Sequence, residues 1–205
     1  IILARLLSPT EFGLVGMLAI FLVVSNLFIE SGFGTALVQR QNVTYLDECS
    51  VFYFNLVASL VAAAMLSAAA PYIADFYREP ILKPLTRFLS INLIINSFGI
   101  IQMRILTKAI DFKTQTKVSL YSVFFSGVIG IVCAFKGLGV WSLAIQSVCS
   151  NFIRTGLLWI YNRWRPSLTF SIKPLREMFG YSSRLLASGF LSTVMDNIYF
   201  LIIGK

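Results

Sequence analysis

Two side chains in this sequence carry a charge where everything around them is apolar. Arg154 is the one charge between Gly137 and Asn162, and Asp196 the one charge between Leu185 and Gly204. A charge held in hydrocarbon costs about 2.5–3.5 kcal/mol on insertion scales, so each needs a reason to be there. Arg154 has two: its long stem can carry the guanidinium to the headgroups near Arg163, or the guanidinium can hold a phosphate in a wet pathway. The short stem of Asp196 suits an ion or proton site, a buried pair with an arginine, or a helix-capping hydrogen bond. Amides recur along the same apolar stretches at Asn26, Asn55, Asn92, Asn96, Gln102, Gln146 and Asn151. Inside a bilayer such side chains either tie helices together or line a hydrated cavity. Asn92 and Asn96 are four apart and share a helix face, with Gln102 less than two turns beyond, an arrangement compatible with a cavity wall. The chemistry in view is the binding of an anion or of an ion within a polar pathway.

Other chemistries are closed off by composition. The chain of 205 residues has no histidine, which removes His-based triads and the usual zinc-hydrolase sites. Its three cysteines, Cys49, Cys133 and Cys149, stand far apart without a CxxC pair and read as small apolar fillers. Of all residues 57% are hydrophobic and only 13% charged, against roughly 25% charged in a soluble domain. Mean hydropathy is +0.79. A soluble globule of this size cannot hide so much apolar surface, so the chain is read as a bilayer protein. The net charge of +8 then reads as membrane topology and attraction to anionic lipid, and nucleic acid is excluded as a partner.

The elements that must position these residues are read from the distances between charges. A spanning helix needs roughly 20 mostly apolar residues. Spans are predicted near 12–29, 50–74, 85–103, 118–135 and 137–161, with a further one over 185–205. The fold class is therefore all-α, a polytopic integral membrane protein. Lysines and arginines number five in the loops on one side (Arg5, Arg78, Lys83, Arg87, Lys136) and ten on the other (Arg40, Arg104, Lys108, Lys113, Lys117, Arg163, Arg165, Lys173, Arg176, Arg184), and the richer side is expected to face the cytoplasm. Ser8-Pro9-Thr10-Glu11 is a helix start, with a cap, a first-turn proline and an acid at the positive end of the dipole. Pro71 is expected to bend or end the helix that carries it. Between Arg163 and Arg184, Ile172, Leu175, Met178 and Phe179 recur at helical spacing, which suits either a helix lying among the headgroups or an irregular loop. The sequence opens on Ile1-Ile2-Leu3-Ala4 and closes on a hydrophobic run, and a longer parent chain is expected.

A family resemblance rests on five segments in series: LARLLSPTEFGLVGM from Leu3, ESGFGTALVQRQNVT from Glu30, QMRILTKAIDFK from Gln102, GLGVWSLAIQ from Gly137 and DNIYFLIIGK from Asp196. In these the chain resembles the bacterial polysaccharide-biosynthesis flippases of the multidrug/oligosaccharidyl-lipid/polysaccharide exporter superfamily, those of colanic-acid and teichuronic-acid type above all. The resemblance implies a V-shaped transporter of two six-helix lobes. Residues 1–161 would form the amino-terminal lobe, 162–184 a cytoplasmic connection, and 185–205 the first helix of the second lobe. It also implies a bacterial inner-membrane location and a lipid-linked oligosaccharide as cargo, carried from the cytoplasmic to the outer leaflet by alternating access. Arg5, Arg40 and Arg154 are the implied pyrophosphate contacts, and Asn26, Asn92, Asn96 and Asn151 the amides that line the path. Asp196 and Glu30 are the candidate ion-coupling carboxylates. No cofactor is expected beyond a coupling proton or sodium ion, and membrane lipids and polysaccharide polymerase machinery are the other expected partners.

Three rival readings remain in view. A cation-coupled multidrug antiporter of the same superfamily would favour an acid-lined apolar pocket. A membrane glycosyltransferase or ligase would need loop carboxylates, for which Asp47 with Glu48 and Asp75 with Glu79 are available. A non-transporting membrane scaffold would need neither.

Overall fold

The computed structural model describes residues 6–30, 32–40 and 43–203, excepting the side chains of 193, 194 and 196–203. Among the described residues there are seven helices: α1 (Pro9–Glu30), α2 (Phe33–Gln39), α3 (Tyr45–Tyr77), α4 (Leu82–Lys108), α5 (Phe112–Phe135), α6 (Val140–Tyr161) and α7 (Ile172–Ile203). Four of them, α1, α3, α4 and α5, are long and apolar enough to cross a membrane. α6 has the length at 22 residues but carries Gln146, Asn151 and Arg154, and falls outside that set.

Local chemistry sets the helix starts. Glu11 N–H donates to Ser8 Oγ at 3.3 Å while Ser8 N–H donates to Glu11 Oε2 at 2.7 Å, so α1 begins where the cap sequence predicts. Thr44 and Asp47 form the same reciprocal box at the head of α3. That cap engages one carboxylate of the Asp47–Glu48 pair that a transferase reading would enlist. Asp111 caps α5, accepting from the Thr114 N–H at 3.0 Å and the Thr114 hydroxyl at 2.7 Å, and these two bonds hold its carboxyl below the ordinary carboxylate range. Pro71 lies inside α3, and the helix continues to Tyr77. Of the two expectations for Pro71, a bend or an end, the end is corrected: a proline forfeits one backbone bond, which surrounding helices and side chains can compensate in a membrane bundle.

α3 and α4 form the central antiparallel pair; α6 packs on α4, α1 crosses both α3 and α4, and α5 lies outside against α6. The main core is built on Leu82, Leu85, Leu89 and Leu93 of α4, which recur every three or four residues and meet Leu14 and Leu18 of α1, Leu66 and Ile73 of α3, and Val140 and Ala144 of α6. On α5 the buried residues are Val118, Ser122, Ser126 and Gly130, one every four. Small residues at that spacing let two helices approach closely in lipid. A Cβ on Gly130 would come 3.1 Å from the Gln146 side chain of α6. The opposite face of α5, with Leu120, Phe124 and Val128, is exposed and apolar, as a lipid-facing surface must be.

The chain threads back and forth. At one end of the bundle Lys108 Nζ donates to the Arg40 carbonyl at 3.2 Å, the Tyr45 hydroxyl donates to the Arg165 carbonyl, and Ser171 N–H donates to Ser50 Oγ at 3.0 Å. At the other end Tyr77, Leu82 and Val140 share the main core, and the Glu11 carboxylate lies against Gly139.

α7 departs from the expected layout. The segment 172–184 is helical and does not break before 185, since one helix runs unbroken from Ile172 to Ile203, and of its four apolar residues at helical spacing Ile172 and Phe179 are exposed. Leu175 and Met178 face protein, buried with Phe33, Leu37, Phe52 and Ile101 in a second core. The reason is a close approach at Gly32, whose φ of +74° suits glycine and where a Cβ would stand 2.7 Å from the Ser182 carbonyl.

Candidate functional site

α4 is the spine of a polar seam between α1 and α6. On its upper part Asn92 Nδ2 donates to Ser147 Oγ at 3.0 Å, and Asn92 Oδ1 accepts from Asn151 Nδ2 at 3.1 Å. One turn on, Asn96 Nδ2 donates to Asn26 Oδ1 at 2.9 Å, while Asn26 Nδ2 donates back to the Leu22 carbonyl of its own helix at 2.9 Å. Four of the amides singled out above are therefore brought together. Asn92 and Asn26 serve as ties between helices, Asn96 both ties and lines a cavity, and Asn151 both ties and lines a separate hollow of about 310 Å³ between α5 and α6 with Ser126, Gln146 and Ser147.

That cavity has a volume of about 300 Å³ and opens between the same three helices. Asn96, Met103, Arg104 and Thr107 supply the α4 wall, Arg154 and Thr155 the α6 wall, and Glu30 the end of α1. Gly99 lets α4 and α6 close on it, because a Cβ there would stand 3.1 Å from Thr155 Oγ1. Arg104 Nη2 lies 3.1 Å from Glu30 Oε2. Arg154, by contrast, has no hydrogen-bond or ion-pair partner among the described residues and is only partly exposed. Among the described residues this polar chamber thus holds two guanidinium groups and one carboxylate, with one guanidinium engaged and the other without a partner. Such a set can accept a dianionic group with charge-assisted hydrogen bonds, while hydroxyls and amides take up neighbouring polar atoms.

The remaining sequence candidates go elsewhere. Arg40 pairs with Glu177 of α7 at 2.8 Å and does not line the cavity. Gln102 is fully buried and donates to the Trp164 carbonyl at 3.2 Å, so it does not share the face of Asn92 and Asn96; six residues from Asn96, it is turned toward the segment after α6. Arg5 lies outside the described residues, as does the side chain of Asp196, whose backbone belongs to α7. Arg104, Thr107 and Thr155 were missed. Arg104 reads from sequence as a topological charge at a helix end. The signal for it was present, since steps of four from Asn92 through Asn96 and Ile100 land on it.

Comparison with known proteins agrees with this setting. Residues 2–205 match the family described as polysaccharide biosynthesis protein. The chain is similar to the teichuronic acid biosynthesis protein TuaB of Bacillus subtilis, with 27% identity over 100% of this chain and 43% of that protein. It is similar also to the succinoglycan biosynthesis transport protein ExoT of Rhizobium meliloti, 28% identical over 91% of this chain and 38% of that protein. With the lipopolysaccharide biosynthesis protein WzxC of Escherichia coli it shares 20% identity over 100% of this chain and 42% of that protein. The chain spans less than half the length of each of these relatives. No solved structure matches it significantly.

Proposed function

This chain belongs to the polysaccharide biosynthesis protein family, a family of multi-pass bacterial membrane proteins, and from that premise we propose that it forms the amino-terminal lobe of a flippase for a lipid-linked oligosaccharide. The pyrophosphate and sugar hydroxyls of such a cargo cannot cross hydrocarbon unaided, whereas its polyprenyl tail can stay in lipid. What the protein must supply is a polar chamber bearing a cationic anchor. The observation that carries the reading is that Arg154, without a partner among the described residues, lines one polar cavity with the Glu30–Arg104 pair.

The cavity lies toward the end of the bundle where the Lys/Arg-rich loops gather. By the positive-inside relation that end is cytoplasmic, so the cargo loads from the inner leaflet. Its pyrophosphate engages Arg154 and displaces the Glu30 carboxylate from Arg104. Glu30 is then free to take a proton or a sodium ion, which links anion release to the ion gradient. Direction follows if cargo and ion each bind one of the two states of alternating access better than the other. Nothing in this scheme requires a bond to be broken, and the reading is of a transporter, not an enzyme.

The test is flipping of a fluorescent lipid-linked oligosaccharide by the full-length protein in proteoliposomes. Arg104→Gln with Arg154→Gln should abolish it. Undiminished flux in that double variant would end the proposal. A drug antiporter would instead move a lipophilic cation in the same vesicles.

A further inference from the structure

Arg104 borders two cavities, not one. Beside the polar chamber lies a second hollow of about 270 Å³, walled by Leu37, Val38, Val43, Ile101 and Ile105. Lys108 and Glu48 stand with Arg104 at its polar edge. Helix geometry explains the division. At 3.6 residues per turn Ile100, Met103 and Thr107 of α4 fall on one side and Ile101, Ile105 and Lys108 on the next, with Arg104 on the boundary. Gly34 of α2 makes room for this side chain, since a Cβ there would come 3.1 Å from Arg104 Nε.

An anion held at Arg104 therefore has a polar chamber on one hand and an apolar one on the other. We infer that the apolar hollow takes the isoprenoid segment next to the pyrophosphate, so that the molecule straddles α4 with its phosphates at Arg104, its sugars against Asn96 and Thr155, and its first isoprene units against Val38 and Ile105. This inference rests on the flippase reading and adds to it where the two halves of the cargo lie. The volume is at the low end for a ligand site, which suits a short segment of the chain, with the remainder in the bilayer. Once Glu30 is displaced from Arg104, two cations stand against one carboxylate at its edge, which favours an anionic amphiphile over a neutral lipid or a lipophilic cation.

The experiment compares two soluble probes, inorganic pyrophosphate and geranyl pyrophosphate, by calorimetric titration of the full-length protein in nanodiscs. The wild type should prefer geranyl pyrophosphate by about tenfold or more, the value of about two buried methylenes. Val38→Phe and Ile105→Phe fill the hollow from α2 and from α4. Each should bring the preference close to one while leaving inorganic pyrophosphate affinity intact. The two walls are independent, so misfolding of one variant still leaves the other to decide. An unchanged preference in a folded filling variant, or no preference in the wild type, overturns the inference while the flippase reading stands. Failure of the wild type to bind inorganic pyrophosphate at all overturns both.

Discussion

Arg104 of α4 and Glu30 of α1 form an ion pair at 3.1 Å across a polar cavity, and both side chains are partly exposed there. A pair in this setting is worth little in stability, roughly 0.2–1 kcal/mol, so its significance lies in competition with an incoming anion. Glu30→Gln should raise inorganic pyrophosphate affinity by a factor of about 1.5–5. Arg104→Gln should lower it by roughly tenfold or more, the scale of a lost charge-assisted hydrogen bond. Titration of the two variants side by side checks the opposite signs; changes in the same direction would refute the competition.

Arg154 separates function from stability. It has no partner among the described residues, so Arg154→Ala should leave thermal stability within about 0.5 kcal/mol of wild type. Transport in vesicles should nevertheless fall by roughly tenfold or more. A large drop in melting temperature would show instead that the guanidinium is structural.

Asn92 is the reverse case. Its amide serves both Ser147 and Asn151, and Asn92→Leu strands both partners within the bundle. Destabilisation of about 1–2 kcal/mol is expected, read from detergent-melting curves. Asn92→Gln should not rescue it, because the longer stem moves the amide off both partners.

The seam between α5 and α6 tests close packing in lipid. Gly127 has open space where a Cβ would go, so Gly127→Ala should stabilise α5 by up to about 1 kcal/mol. Gly130→Val sets a branched side chain against Gln146 and should loosen the helix pair. Crosslinking between cysteines placed at Ser126 and Ser147 reports the separation, efficient in the first variant and weakened in the second.

The turn between α4 and α5 makes a pH-dependent prediction. The Asp111 carboxyl is held below its ordinary value by the Thr114 hydroxyl and N–H. A depressed carboxyl stabilises the fold above the unfolded value near 3.8, and that contribution fades as pH falls through the lower folded value. Asp111→Ala should therefore be less stable than wild type at neutral pH and approach it in strong acid, as followed by melting temperature across pH. Next to it, Ile110 holds φ +58°, a conformation that disfavours branched side chains, and Ile110→Gly should gain about 1–2 kcal/mol.

Much of the architecture was legible without coordinates. Charge-to-charge distances located the apolar stretches that became α1, α3, α4 and α5, and Ser8-Pro9-Thr10-Glu11 marked the start of α1 to the residue. Asn92 and Asn96 were placed on one face by spacing alone. Arg40 was not legible, because its carboxylate partner Glu177 is 137 residues away and on another helix. Nor was the unbroken course of α7, since Leu175 and Met178 show the same helical spacing whether they meet lipid or Phe33 and Phe52.

What the amino-acid order alone determined is the threading: residence in a bilayer, the helical class, the caps and the asymmetry of charge between the two ends. These follow from sums of local terms, because insertion free energy and capping depend on a residue and its near neighbours. Tertiary structure alone decided that Arg104, Arg154 and Glu30 share one chamber, that Gln102 turns away from Asn96, and that Arg104 divides a polar hollow from an apolar one. Those outcomes depend on the rotation and register with which α1, α4 and α6 pack, and these are set by contacts between side chains remote in the chain, such as Gly99 against Thr155.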